Sequence, residues 1–419
     1  VRKGETYIAI DIGSHSIKSL VISRTAEGYE LLECFELRTR GIDGGDVKDA
    51  ISLREVLNQV ISQMSDAVNV GRSNIVVSSS CGKFSLHELK KDLIVSEGER
   101  KPVDEATVEN LKQSAVDSLG GNYQVLHIYP KKYTIDRTKA VFNPTGMPAN
   151  HLEVELAVVA FDRSTSSLLE FLQDVLPEDF DFASSTVLGA ESVLTDTEKE
   201  NGVCVVELGY SSTAVVIYSM GVPVRLETIP LGMKHVIKDI SIVFSTSLEE
   251  AERLLVTHGS AVYGESSYVQ QSIDFKGLDG RSAKSITKDD LAKVIHARLR
   301  EILNKVKRFY REFCSTMPEF SPRGLPGGIV LIGGGAKVLR LLDLALDVFK
   351  SPVRVGTYNT SANVSIKDSD DVLDDPLYAP ALGGFISLLE SGSKVEQRVH
   401  RESSEGFFKR LVELFKNLW

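Results

Sequence analysis

The stretch Ile10-Asp11-Ile12-Gly13-Ser14-His15-Ser16-Ile17-Lys18 decides how this chain is read. A β-rich run from Thr6 to Ile12 delivers a carboxylate to the end of a strand. Gly13 lets the backbone turn and approach a phosphate closely. The amides that follow, with the hydroxyls of Ser14 and Ser16, can donate to phosphate oxygens. Lys18 falls on the return strand, where it can add a point charge. Asp11 can hold Mg²⁺ through water, because that ion prefers a carboxylate, waters and phosphate. A lone turn of this kind is also an ordinary hairpin with a surface lysine.

Two further stretches repeat the logic. Val206-Glu207-Leu208-Gly209-Tyr210-Ser211-Ser212-Thr213 is again strand, carboxylate, glycine and hydroxyls. Two such hairpins can face each other and pinch a polyphosphate. Val330-Leu331-Ile332-Gly333-Gly334-Gly335-Ala336-Lys337 reads as a strand that ends in glycines and opens a helix, which suits nucleotide contact. Its other reading is a tight strand–helix connection. Three such stretches in this order are far more specific than any one.

The chain has 419 residues, enough for two to four domains, and 42% of them are hydrophobic, so a sizeable core is expected. A formal charge of −10 disfavours a broad nucleic-acid surface, so no nucleic-acid partner is expected. Cys34, Cys81, Cys204 and Cys314 show no metal-ligand spacing and read as reduced thiols. No apolar run approaches a membrane span and no signal peptide is visible, so a cytoplasmic location is expected.

Along the chain, strands at Thr6 to Ile12, Ile17 to Ser23 and Glu30 to Leu37 precede a helix opened by a capping box, Ser52-Leu53-Arg54-Glu55. A strand at Asn74 to Ser79 follows. The β-turn-β-β unit recurs at Gly202 to Ile229. Between the two units, 84–161 reads as an inserted β-α-β-β block. Later helices are expected at Lys234 to Val243, Leu248 to His258, Lys288 to Phe313, Lys337 to Phe349 and Pro376 to Leu389.

These stretches resemble the actin-like ATPase superfamily and, within it, the FtsA family of bacterial cell-division proteins. The likeness runs from about residue 7 to the C-terminus. It is carried by Ala9 to Ser14, Leu231-Gly232-Met233-Lys234-His235-Val236, Ala251-Glu252 through Thr257-His258-Gly259, Ile295-His296-Ala297-Arg298-Leu299 and Val330 to Ala336. It implies an α/β, two-lobed actin-like fold with duplicated β-β-β-α-β-α units. Subdomain 1A would take 1–83 with 162–193 and 365–390. Subdomain 1C would be the block 84–161. Subdomain 2A would take 194–233 with 310–364, and 2B would take 234–309. A linker, 391–405, and a membrane-targeting amphipathic helix, 406–419, would complete the chain.

The resemblance also implies ATP and Mg²⁺ between the lobes. The nucleotide would be held by Asp11, Gly13, Ser14, Ser16, Lys18, Gly209, Ser211, Ser212, Lys234, Glu252, Gly333, Gly334, Gly335 and Ala336, with Asp11 reaching Mg²⁺ through water. It implies actin-like filaments and binding of the FtsZ C-terminal peptide through 2B. It also implies a tether to the cytoplasmic membrane and contact of 1C with other division proteins. Arg298 and Glu301, one turn apart on one helix face, are candidate peptide contacts, with an intrahelical ion pair in solvent as their other reading. The second hairpin departs from the family pattern: Glu207 stands where most members have Asp, and Tyr210-Ser211-Ser212 replaces small residues. Leu255 replaces the lysine of a Glu-x-x-Lys motif. ATP binding is therefore better supported than hydrolysis. The expectation is a nucleotide-binding adaptor with at most weak ATPase activity, and Glu207 is the best candidate for a general base. The alternatives are an FtsA-like pilus-assembly scaffold and an exopolyphosphatase-type phosphohydrolase. The latter shares the Glu in the second hairpin but carries a Gly-Gly-Gly-Ser run that is missing here.

The C-terminal segment argues for itself. Phe407, Phe408, Leu411, Leu414, Phe415, Leu418 and Trp419 recur at helical spacing and form one apolar face. Lys409, Arg410 and Lys416 make it locally basic on an acidic protein, which suits an anionic membrane surface. The other reading is a helix that docks on the body or on a partner. Truncation after Ser404 is expected to abolish co-sedimentation with anionic vesicles, whereas equal pelleting of both chains would move the membrane role elsewhere.

Overall fold

All seven residues of strand β1 (Thr6–Ile12) are buried. A strand buried on both faces must be covered from both sides, and its alternating side chains show by what. Ile8, Ile10 and Ile12 pack with Leu53 and Leu57 of helix α1 (Ala50–Ala67) and with Leu168 and Leu172 of the later helix at Leu168–Val175. Tyr7 and Ala9 pack on the other face with Leu188, Leu382 and Phe385. The computed structural model describes residues 5–67, 73–176, 180–320, 323–360 and 363–395.

β1 pairs antiparallel with β2 (Ser16–Thr25), which pairs with β3 (Gly28–Arg38). On its other side β1 pairs parallel with β4 (Ser73–Ser79), and β4 pairs parallel with a strand at Asp181–Ser184. The second half repeats this order. Val203–Leu208 pairs antiparallel with Thr213–Ser219, which pairs with Val222–Ile229. On its other side Val203–Leu208 pairs parallel with Ile329–Ile332, followed by Val353–Val355. The duplication expected from the two β-turn-β-β units is thus present in strand order and direction, and the fold is α/β as expected.

Between the first sheet's β4 and its edge strand lies the inserted block. Its four-stranded sheet contains Phe84–Ile94, Tyr123–Ile135, Lys139–Val141 and His151–Asp162. Helix α2 (Glu105–Asp117) covers one face, burying Val108, Leu111 and Ala115 against Tyr133, Leu152, Val154 and Leu156. The Asp104 carboxylate caps α2 by accepting from the Thr107 amide at 2.7 Å.

The helix at Leu168–Val175 is α3. Helix α4 (Ser185–Val193) lies between the two sheets. Leu188 meets the first sheet, while Ala190 and Val193 meet Val203, Val205 and Val330 of the second. A late helix, Ala379–Val395, packs along α4. The approach is close enough that a Cβ on Gly383 would lie 1.8 Å from the Leu188 carbonyl oxygen.

Several expectations are corrected. Helix α1 begins before Ser52, because Asp49 is its cap: one carboxylate oxygen accepts from the amides of Ile51 and Ser52, both at 3.1 Å. The Ser52 hydroxyl itself donates to Asp49 at 2.6 Å, which removes it from capping. The glycine run 333–335 opens a short 3₁₀ turn, Gly334–Lys337, and the α-helix starts only at Leu341. The late helix continues to Val395, past the expected start of a linker at 391. A hairpin formed by Ser272–Lys276 and Ala283–Thr287 had no clear signal in the sequence. The expected membrane-targeting helix, 406–419, lies outside the described residues. No helix among the described residues is long and apolar enough to cross a membrane.

Replacing Gly383 by Ala is expected to lower stability by roughly 1–2 kcal/mol, because overpacking against backbone outweighs the helix-propensity gain. Gly98→Ala, where a Cβ meets nothing within 4 Å, should stay within about 0.5 kcal/mol of the parent. Urea unfolding of both variants checks the difference.

Candidate functional site

The two hairpins are built alike. In the first, Asp11 pairs with Lys18 across β1 and β2, and the Gly13 amide donates to the Ser16 carbonyl at 3.1 Å. In the second, Glu207 pairs with Ala214, and the Gly209 amide donates to the Ser212 carbonyl at 3.0 Å. A Cβ on Gly13 would lie 2.9 Å from the Ser16 oxygen, and one on Gly209 would lie 2.9 Å from the Ser212 oxygen. Glycine is required at both turns for the same steric reason. The hairpins also touch, since the Ser211 amide donates to the Ser14 hydroxyl at 3.3 Å.

Asp11 and Glu207 end equivalent strands and point toward the first turn of α4. The Ser185 hydroxyl donates to Asp11, and the Thr186 hydroxyl donates to Glu207 at 2.5 Å. Ser78 adds a bond to Asp11 at 3.0 Å, and the Lys18 ammonium lies 2.8 Å from the other carboxylate oxygen. Burial works against the Lys18 charge, but the adjacent Asp11 outweighs it and holds the ammonium above its usual pKa. Among the described residues Glu207 has no ion-pair partner. Burial and the charge of Asp11 push its carboxyl up to about 7, against the opposing bond from Thr186.

A cleft of about 600 Å³ opens over these groups. Of the residues expected at a nucleotide, Asp11, Gly13, Ser14, Ser16, Lys18, Gly209, Ser211, Ser212, Glu252, Gly333, Gly334 and Gly335 line it, as does Glu207. Ala336 is buried just behind the glycine turn. Lys234 is turned to the rim, where its ammonium meets Asp43 at 2.8 Å. Gly333 adopts a φ of +83° and presses on the Leu208 backbone, a conformation that favours glycine.

His15 and Tyr210 were not among the residues expected at the nucleotide. Both line the cleft, one from each hairpin, with ring centroids 4.8 Å apart. Their signal was their bulk inside turns otherwise made of small residues. His15 Nδ1 and Ser211 Oγ are buried polar atoms without a hydrogen-bond partner. Orphaned polar atoms of this kind are uncommon in a finished core. Here one comes from each hairpin, and the cleft beside them is lined by Lys18 and by the hydroxyls of Ser14, Ser16, Ser211 and Ser212, so the residues present fit a ligand rich in hydrogen-bond acceptors. A polyphosphate meets that description. Asp11 already receives three hydrogen bonds, so an ion near it would be reached through water rather than directly. No group of three or more His, Cys, Asp or Glu among the described residues is placed to hold a metal alone.

Arg298 and Glu301 lie on the long helix Lys288–Thr316. Arg298 is tied bidentately to Asp239 at 2.6 and 3.0 Å, and it also donates to Glu301. Glu301, with Arg300, Lys305 and Arg308, borders a shallow, open concavity on the same helix.

Comparison with known proteins agrees with this geometry. The family model "Cell division protein FtsA" matches residues 204–383, and "SHS2 domain inserted in FTSA" matches 86–160, the inserted block. The chain is 27% identical over 403 residues to cell division protein FtsA of Escherichia coli K12, covering 94% of this chain and 93% of that one. It is 26% identical over 361 residues to FtsA of Bacillus subtilis 168, covering 86% and 80%. Among solved structures, the PilM-PilN type IV pilus biogenesis complex aligns with a TM-score of 0.60 at 16% identity, covering 91% of this chain and 98% of that one. MreB5 of Spiroplasma citri bound to ADP aligns at 0.55 and 13%, covering 94% and 99%. The MamK double helical filament aligns at 0.53 and 11%, covering 92% and 99%. At these identities the structures speak for the fold alone, which is that of the actin-like ATPases. Two family models over separate stretches, relatives matched over most of their length and a cleft of two mirrored hairpins make the chain an FtsA-type actin-like protein of the cell-division family.

Proposed function

We propose that this protein binds ATP with Mg²⁺ in the cleft, assembles with copies of itself, and tethers an FtsZ ring to the cytoplasmic membrane through its C-terminal segment. The observation that carries the nucleotide part is the pair of mirrored hairpins, whose glycine turns, hydroxyls and buried Lys18 line one cleft. Gly13 to Ser16 and Gly209 to Ser212 would hold the phosphates, with Lys18 and the hydroxyls of Ser14 and Ser211 nearest. Gly333 to Gly335 would lie against the nucleoside. Asp11 would orient Mg²⁺ through water. When bound, Mg-ATP would supply a dense negative charge and a hydrolysable anhydride between the lobes. Glu207, held by Thr186 and titrating near neutrality, is suited to accept a proton there. The missing Glu-x-x-Lys lysine keeps the emphasis on binding rather than turnover.

The adaptor part rests on the FtsA family relation. Filament formation draws support from the fold shared with MamK, whose solved form is a double helical filament. The peptide site would be the concavity beside Glu301, where Arg300, Lys305 and Arg308 offer positive charge. Arg298, already spent on Asp239, would shape that surface rather than reach a peptide. The inserted block would meet other division proteins.

Gly334 tests the cleft cleanly. A Cβ there meets only Leu377, at an ordinary 3.5 Å, so the fold tolerates a side chain. Gly334→Asp is expected to weaken Mg-ATP binding at least about tenfold, a charge effect of roughly 1.4 kcal/mol or more, with the unfolding midpoint unchanged. Isothermal titration of the full chain measures it, and unchanged affinity would remove the nucleotide from this cleft.

Glu207 sets a pH dependence in the unliganded protein. Its folded pKa is raised from 4.5 to about 7, so the folded state holds a proton that the unfolded chain has lost. Stability from this group is therefore full below about 4.5 and is lost as pH rises through about 7. Glu207→Gln removes the titration. The variant should gain roughly 2–3 kcal/mol on the parent between pH 4.5 and pH 8 without nucleotide. Denaturant unfolding at the two pH values reads the gap directly.

A further inference from the structure

Two residues of the second half that were expected at the nucleotide, Lys234 at the rim and Glu252 in the lining, each carry a partner from the first half. Arg38, at the end of β3, binds Glu252 bidentately, at 2.7 and 2.9 Å. His15 Nε2 approaches the same carboxylate at 3.4 Å. Lys234 binds Asp43 at 2.8 Å. Both pairs cross from one half to the other at the rim of the cleft.

One partner of each pair is bolted to the hairpin of its own half. Thr39, next to Arg38, donates through its amide to the His15 carbonyl at 2.8 Å and through its hydroxyl to the Gly13 carbonyl at 2.7 Å. Met233 and Lys234 donate their amides to the carbonyls of Gly209 and Tyr210, at 2.9 and 2.8 Å. A movement that spread the two hairpins would therefore have to break both ion pairs. The Ser211–Ser14 bond and the first turn of α4 also hold the hairpins, so the two ion pairs add to that hold.

We infer that Arg38–Glu252 and Asp43–Lys234 form a two-point latch that holds the lobes closed over the phosphate hairpins and sets the rate at which nucleotide leaves. The inference rests on the nucleotide reading of the cleft. Both pairs are partly solvated: the Arg38 and Asp43 side chains are 55% and 72% exposed. Each is therefore expected to slow opening by only about threefold to fivefold, the range of exposed ion pairs. Such a latch retards exchange without preventing it. The paired bonds of Arg38 make it the stronger point. Neither Arg38 nor Asp43 was assigned a contact with nucleotide, so both can be changed without removing a binding group.

The test uses the full chain loaded with a fluorescent ATP analogue and Mg²⁺. Release is followed by stopped flow against excess ATP. Amide hydrogen exchange of residues 12–16 and 208–213 is measured in parallel without nucleotide. Arg38→Met with Asp43→Asn is expected to speed release about tenfold and to raise exchange in both hairpins. The reversed pair, Asp43→Lys with Lys234→Asp, restores one point of the latch and should leave release and exchange near those of the parent. Unchanged release and exchange in the double variant would overturn the latch. So would a reversed pair that releases as fast as Asp43→Asn alone. If the parent chain takes up no analogue, the nucleotide reading falls, and hairpin exchange alone decides whether the two pairs hold the lobes together.

Discussion

Two carboxylates buried side by side govern this structure. Asp11 and Glu207 end equivalent strands of the two halves, and the first turn of α4 reaches both through Ser185 and Thr186. Buried charge is tolerated only when it is paired or hydrogen-bonded. Here a single cation, Lys18, sits 2.8 Å from Asp11. One carboxylate thus has an ion-pair partner, and the other is pushed toward neutrality. The same turn of helix fixes the separation of the two strands, and with it the distance between the hairpins they feed. The halves are joined where their chemistry is.

That junction explains the tight packing behind it. For α4 to serve both sheets, the late helix must press on it from outside, and Gly383 lets that helix reach the Leu188 carbonyl. On its other side α4 continues to Glu191. Its carboxylate accepts from Tyr218 of the second sheet at 2.8 Å and from Tyr129 of the inserted block at 3.3 Å. Lys199 completes the cluster from α5 (Asp196–Asn201). One short helix therefore touches the first sheet, the second sheet and the insert. A displacement of any of the three is felt at the base of the cleft, because side chains this densely packed and bonded do not move independently.

Much of this was legible beforehand because the relevant signals are local. A buried strand ending in carboxylate, glycine and hydroxyls is written in consecutive residues, and so is its second copy. Turn glycines are demanded by backbone geometry within four residues. The block at 84–161 announced itself by interrupting the repeat. Less legible were features decided by partners distant in sequence. Ser52 looked like a cap, but Asp49, three residues earlier, had the geometry to accept both amides. The glycine run promised a helix start and produced a 3₁₀ turn, since Gly333 is held left-handed against Leu208. Lys234 matched a motif but found Asp43, and Arg298 matched a face but found Asp239.

The sequence by itself determined the strand order of each half, the two carboxylate-bearing hairpins and the amphipathic character of the C-terminal segment. Each follows from the periodicity and turn chemistry of neighbouring residues, which need no knowledge of the rest of the chain. Only the tertiary structure decided that the hairpins face one another, that Asp11 claims Lys18 while Glu207 has no ion-pair partner among the described residues, and that the His15 ring meets that of Tyr210 at a tilt. The contacts between the hairpins join residues nearly two hundred positions apart, and they form because α4 binds the carboxylates of both halves; the Asp11–Lys18 pair follows from the β1–β2 register, and Glu207 faces Ala214 at the equivalent place.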